Sequence, residues 1–192
     1  MKWIVVAILL LIVPYTIVTL RYRKEGPAFE PYEDLKKRAN VARLLSAGYQ
    51  RIPIVAQRPA DTGRAAGGAW AAPASGGLPE DLRTTLVEPL QLPVEITQVT
   101  AAPTTASTQP YTIQLACTLP DDKRQLGGAD LYLRGETLVI TPTFEPIGDT
   151  LQARSRHAAV LLTVPAGTLK PGHYAVTLIG ERTSRAWSLE VR

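Results

Sequence analysis

The chain has 192 residues, 45% hydrophobic and 20% charged, with a net charge of +4, one cysteine and two histidines. That length supports a sizeable core, and the lone Cys117 excludes an intramolecular disulfide framework. Residues 21–64 hold ten Lys/Arg against five Asp/Glu and residues 80–192 hold ten against twelve; this excludes a nucleic-acid module, since the distal part is mildly acidic and has no basic stripe with interleaved aromatics.

Trp3 to Leu20 is a run of 18 residues without a charge, bounded by Lys2 and by Arg21, Arg23 and Lys24. At about 1.5 Å per residue it reaches roughly 27 Å, which predicts a transmembrane anchor through Trp3, Pro14 and Leu20 with a basic flank. The run is longer than the apolar core of a signal peptide, and no small-x-small cleavage pattern follows it. Pro14 removes a backbone donor in mid-span, with Thr16 and Thr19 near enough to compensate. The Lys/Arg count favours a cytoplasmic body. A β-rich module on a Pro/Ala/Gly tether favours the opposite, and the expectation is an inner-membrane, single-pass protein with an extracytoplasmic body. The cations of residues 21–64 suit anionic lipid headgroups or an acidic partner surface, and equally a solvated helix of mixed charge.

Glu30 to Gly48 predicts a juxtamembrane helix, with Pro31 in its first turn and Gly48 as its stop. Leu35, Ala39, Ala42 and Leu45 recur at helical spacing and form its apolar face. Glu33–Lys37 and Asp34–Arg38 are acid-before-base pairs four apart. Tyr49 to Arg58 reads as extended, and Pro53 predicts an edge strand. Residues 59–91 form an Ala/Gly/Pro-rich linker by composition, with too little apolar surface to offset the entropy of ordering it.

From Leu92 onward, short alternating segments predict seven strands near 93–101, 110–119, 129–134, 136–144, 158–164, 173–179 and 185–191. The expected domains are 1–24, 25–58, 59–91 and 92–192. The expected fold is mainly β, an immunoglobulin-like antiparallel β-sandwich preceded by one transmembrane helix and a short juxtamembrane helix. Leu169-Lys170-Pro171-Gly172-His173-Tyr174 resembles a corner of bacterial immunoglobulin-like domains; Pro171, Gly172 and Tyr174 are its structural residues, and the resemblance covers about residues 92–192. The departures are the single Cys and the position of Trp187 in the last strand.

No residues assemble a catalytic signature. Cys117 alternates with core positions and reads as a buried, inert thiol. His157 and His173 match no ligand spacing, so no metal and no cofactor are expected. Glu145, Asp149 and the Asp121–Asp122 pair fall in turns without a cleft to converge on. The expected function is therefore non-enzymatic: an accessory or assembly subunit whose partners are the lipid bilayer and other membrane subunits. The layout of Pro31-Tyr32-Glu33-Asp34, then a β domain running from Pro171-Gly172-His173-Tyr174 to Trp187-Ser188-Leu189-Glu190, is similar in outline to FixH-type proteins, and that resemblance implies an association with respiratory oxidases. The alternative is an extracytoplasmic ligand- or polysaccharide-binding module.

Overall fold

The computed structural model describes residues 2–3, 10, 12–16, 18, 32–59, 69–147, 153 and 155–192. Its order is α1 (Tyr32–Ser46), β1 (Gln50–Gln57), β2 (Ala69–Trp70), β3 (Ala72–Ser75), α2 (Glu80–Thr85), β4 (Glu95–Ala101), β5 (Thr104–Thr105), β6 (Tyr111–Thr118), β7 (Arg124–Arg134), β8 (Thr137–Pro146), β9 (His157–Val164), β10 (Gly172–Leu178) and β11 (Thr183–Val191). Strands form at all seven positions where apolar and polar residues alternate, because only a half-buried strand hides every second side chain. In β6, for example, Tyr111, Ile113, Leu115 and Cys117 are buried between exposed or half-buried neighbours.

How those strands join corrects the sandwich expectation. Among the described residues, eight strands pair in the ring β4–β6–β9–β1–β7–β8–β10–β11, and β11 returns to β4 to close it. Two segments lying before residue 92 make the closure. β1 pairs with β7 over Gln50–Ile54 and with β9 over Val55–Gln57, so it crosses from one sheet to the other. β2 pairs with β4, and β3, directly after it, pairs with β11, so residues 69–75 run along the second seam. A sandwich and a closed barrel demand the same alternation and differ only in these seams. The pairing is also mixed, since β10 lies parallel to β8 and β11 parallel to β4.

Pro53 therefore sits in an internal strand instead of an edge. Its half of β1 is paired on one side only, to β7, which leaves a free side for a residue without a donor. The interval expected to be a linker holds β2, β3 and α2. Gly76 permits this: a Cβ there would lie 2.2 Å from the Arg182 carbonyl carbon, so only glycine lets this segment pass the β10–β11 turn, where Gly77 N–H donates to Gly180 O at 2.8 Å.

At the narrow end of the seam, Glu181 N–H and Arg182 N–H donate to Pro93 O and Val94 O, each at 2.8 Å. β4 then bulges at Thr97, and the Arg185 guanidinium takes over, donating from Nε to Ile96 O at 3.1 Å and from Nη2 to Thr97 O at 2.9 Å. The barrel interior is filled by Ile113, Leu131, Val160, Leu162, Leu178 and Leu189, each at most marginally exposed. Trp187 Nε1–H donates to the Tyr111 hydroxyl at 3.0 Å, and that hydroxyl donates to Ala102 O at 2.9 Å, so both aromatic polar atoms are satisfied inside.

A second apolar cluster covers the outside of one wall. Leu44 of α1, Tyr49, Leu82 and Leu86 around α2 pack on Tyr132, Val139 and Ile179. The Tyr49 hydroxyl donates to Asp81 Oδ2 at 2.8 Å, Arg134 pairs with the same carboxylate, and the guanidinium stacks 4.7 Å over the Tyr49 ring.

The chain divides into two compact units, Met1–Arg38 and Ala39–Arg192. Most of the expected span, and all of Leu20, Arg21, Arg23 and Lys24, lie outside the described residues. Trp3 and Pro14 are described as helical and exposed, and Thr16 Oγ1 donates to Ile12 O at 2.8 Å. Among the described residues no helix is long and apolar enough to cross a membrane. The longest described helix, α1, has 15 residues and carries Lys36, Lys37, Arg38 and Arg43, whereas a span needs about 20 mostly apolar ones. This goes against the single-pass anchor and the inner-membrane location expected from the sequence.

Two outcomes test this architecture. Arg185→Gln removes the charged donor at the bulge and is expected to lower stability by about 2 kcal/mol in urea unfolding; an unchanged midpoint would show that backbone pairing alone holds the seam. The Asp81 carboxyl is held below its usual range, chiefly by the Tyr49 hydroxyl, against burial and with help from Leu82 N–H and Arg134, while burial followed by the Asp81 bond pushes Tyr49 up to about 12. A depressed carboxyl contributes stability above its ordinary range that is lost as pH falls through the folded value; a raised phenol contributes below pH 10 what is lost as pH rises toward 12. Asp81→Asn should therefore cost more stability at pH 7 than at pH 3, as read by paired unfolding curves.

Candidate functional site

Two surface features stand out against the filled interior. The first is the outer wall of β4, β6, β9 and β1, bare of any covering apolar cluster among the described residues. Side chains that point inward on these strands are core, so their neighbours point out: Thr112, Gln114, Ala116 and Thr118 on β6, and Ala159, Leu161 and Thr163 on β9, with Val55 and Gln57 on β1 and Thr100 on β4. Register brings them side by side, with Gln114 opposite both Thr100 and Leu161, and Thr163 opposite both Thr112 and Val55. No ionisable residue interrupts the centre of this face, although a fifth of the chain is charged. Charges gather at its border: Glu95 beside Thr118, Arg185 at the seam, and Arg51, which pairs with Asp130 Oδ2 at 2.8 Å; the His157 ring also lies there, 3.3 Å from the Thr118 hydroxyl. The opposite wall lies under Leu44, α2 and Leu86.

The second feature is a cleft of about 570 Å³ at one end of the barrel. It lies where β1 ends at Gln57 while β9 extends back to His157 and β7 to Arg124. Leu119, Leu126 and Val160 form its apolar floor, and Arg58, Arg124, Gln125, Ser155 and His157 line its mouth. Arg156 braces the rim by donating to Leu119 O at 3.1 Å and to Pro120 O at 2.5 Å. Arg124 Nε bonds Asp121 Oδ2 at 3.1 Å. A void of about 10 Å³ lies by Tyr111 and Leu169.

The residues singled out from sequence lie elsewhere. Leu35 and Leu45 are 55% and 62% exposed, and Ala39 and Ala42 are exposed too, so the expected apolar face of α1 does not pack; Leu44, at 1%, does. The stripe containing Leu44 also contains Asn40, whose side-chain carbonyl accepts from Val87 N–H at 3.3 Å. A polar residue in that stripe hid it from an apolar count. Pro171 is exposed, Gly172 opens β10, and the Tyr174 hydroxyl donates to Lys170 O at 2.9 Å. Among the described residues no group of three His, Cys, Asp or Glu could hold a metal. Neither the bare wall nor the cleft was singled out from sequence. The wall was recoverable from the outward positions of β6 and β9 once strand order was known, and the cleft depends on where β1 stops.

Cys117 is buried, its Sγ–H directed at Ala158 O at 3.6 Å, and burial pushes its thiol up to about 12. A thiolate is the reactive form, so the cysteine lacks the character of a nucleophile. No family model, no curated protein and no solved structure matches this chain, and nothing among known proteins supports the immunoglobulin-like or FixH-type resemblance. A thiol-reactive chromogen is expected to leave Cys117 unmodified in the native protein and to titrate one thiol after unfolding; rapid native labelling would contradict its placement inside the barrel.

Proposed function

We propose that the protein is a non-enzymatic accessory subunit whose barrel docks on a partner protein through the bare wall of β4, β6, β9 and β1. The observation that carries this reading is the uncharged centre of that wall with its charged border. Charged groups are costly to desolvate when left unpaired, and interface cores are depleted of them while rims stay polar. The central strands β6 and β9 are paired on both sides, so a partner meets side chains instead of open backbone, and recognition is by face. Four strands about 4.8 Å apart and roughly eight residues long present about 500 Å² in projection. That is less than the roughly 800 Å² per partner of a stable interface, so contacts spread onto the border or the association is transient.

The test is affinity capture of the tagged full-length chain, with Leu161→Glu and Gln114→Lys compared against Glu136→Gln, exposed in the β7–β8 turn, as a control away from the wall. A stoichiometric partner kept by the parent and the control, and reduced at least about tenfold by both wall variants, supports the reading. A partner held equally by all four proteins, or none at all, overturns it. Light scattering that shows a wall-dependent homodimer would assign the face to a second copy of this chain.

A further inference from the structure

We propose that residues 78–92 form a lid that opens as one unit while the barrel stays closed. This is independent of protein docking by the wall of β4, β6, β9 and β1. Both roots of the loop hang on one turn: Gly77 N–H donates to Gly180 O, and Pro93 O accepts from Glu181 N–H, each at 2.8 Å. A compact surface loop whose ends meet in this way leaves the surface without disturbing the chain on either side. Gly77 supplies a hinge, at a φ of 89° that favours glycine and with open space where a Cβ would stand.

Residues 78–92 contain no strand. Two backbone hydrogen bonds close the loop on itself, Arg83 N–H to Pro79 O at 2.8 Å and Leu86 N–H to Leu82 O at 3.1 Å. Side chains attach it to the barrel. Leu82 and Leu86 are buried with Tyr132, Val139 and Ile179, and Asp81 is clasped by Tyr49 and Arg134. Gln91 accepts from Arg124, and the Asn40 side chain receives Val87 N–H at 3.3 Å. A segment without a strand ladder belongs to the low end of local stability. Closure also carries a penalty beneath the loop: the Tyr132 hydroxyl is buried with no well-formed hydrogen bond, and opening returns it to water. The open form bares an apolar patch of Tyr132, Val139 and Ile179 that the closed form withdraws.

The experiment measures native-state amide hydrogen exchange of the full-length chain by NMR, comparing Arg83 and Leu86 in the loop with Ile113 and Leu115 in β6. The loop amides are expected to be protected at least about a hundredfold less than the barrel amides. Leu162→Val in β9 should lower protection of the barrel amides and leave the loop amides unchanged, because that packing survives in the open form. Asp81→Asn should lower protection of Arg83 and Leu86 by one common factor of about ten, and Tyr132→Phe should raise both at least about threefold. Loop amides protected as well as the barrel, or lowered with it by Leu162→Val, would mean that the loop moves only in global unfolding. Unequal responses of Arg83 and Leu86 would mean fraying of a short helix, and unchanged protection in Tyr132→Phe would remove the penalty beneath the loop. Any of these results overturns the lid.

Discussion

The closed form of this protein depends on strands that change partners along their length. β1 leaves β7 at Ile54 and joins β9 at Val55, and the segment holding β2 and β3 pairs with β4 and then with β11. Without them the seven distal strands would leave open edges, which are templates for unwanted pairing. Each crossing spans a few residues, so its specificity rests on local devices: a proline on the one-sided half of β1, a glycine where two backbones touch, and a guanidinium that donates to carbonyls exposed by a bulge.

Closure also distributes function over the surface. One wall receives Leu44, Tyr49 and the short helix α2, fastened by the Tyr49–Asp81–Arg134 contacts, and is thereby withdrawn from solvent. Among the described residues the other wall has no such cover, and its centre carries no ionisable side chain. The cleft lies where β1 ends short of β7 and β9. Tyr132 records the tightness of the covered wall: its hydroxyl is buried with no well-formed hydrogen bond among the described residues, and burial pushes its phenol up to about 12 against the opposing influence of the nearby Thr141 hydroxyl.

Much of the local structure was legible in the sequence, and for one reason. A strand with one face in the core repeats every two residues, so Tyr111–Ile113–Leu115–Cys117 and Val160–Leu162–Val164 announce both the element and its buried side. The helical face of α1 was misread because its docking residue, Leu44, shares a stripe with Asn40, while the more regular stripe of Leu35, Ala39, Ala42 and Leu45 faces outward. The stretch before residue 92 was misread because Gly76 and its neighbours resemble a linker in composition, although the glycine serves a close backbone approach.

By itself, then, the sequence determined where strands lie, which side of each is apolar, that Cys117 is a core residue, and how charge is divided along the chain. These are properties of residues near one another in the chain, set by side-chain period and burial. Only the tertiary structure decided that the sheet closes, that β1 and β3 stitch its seams, which wall the described residues leave uncovered, and that Arg58, Arg124 and His157 line one cleft. Those features depend on pairing between segments up to about a hundred residues apart, as between Pro73 and Arg185, and side-chain alternation is the same whichever partner a strand takes.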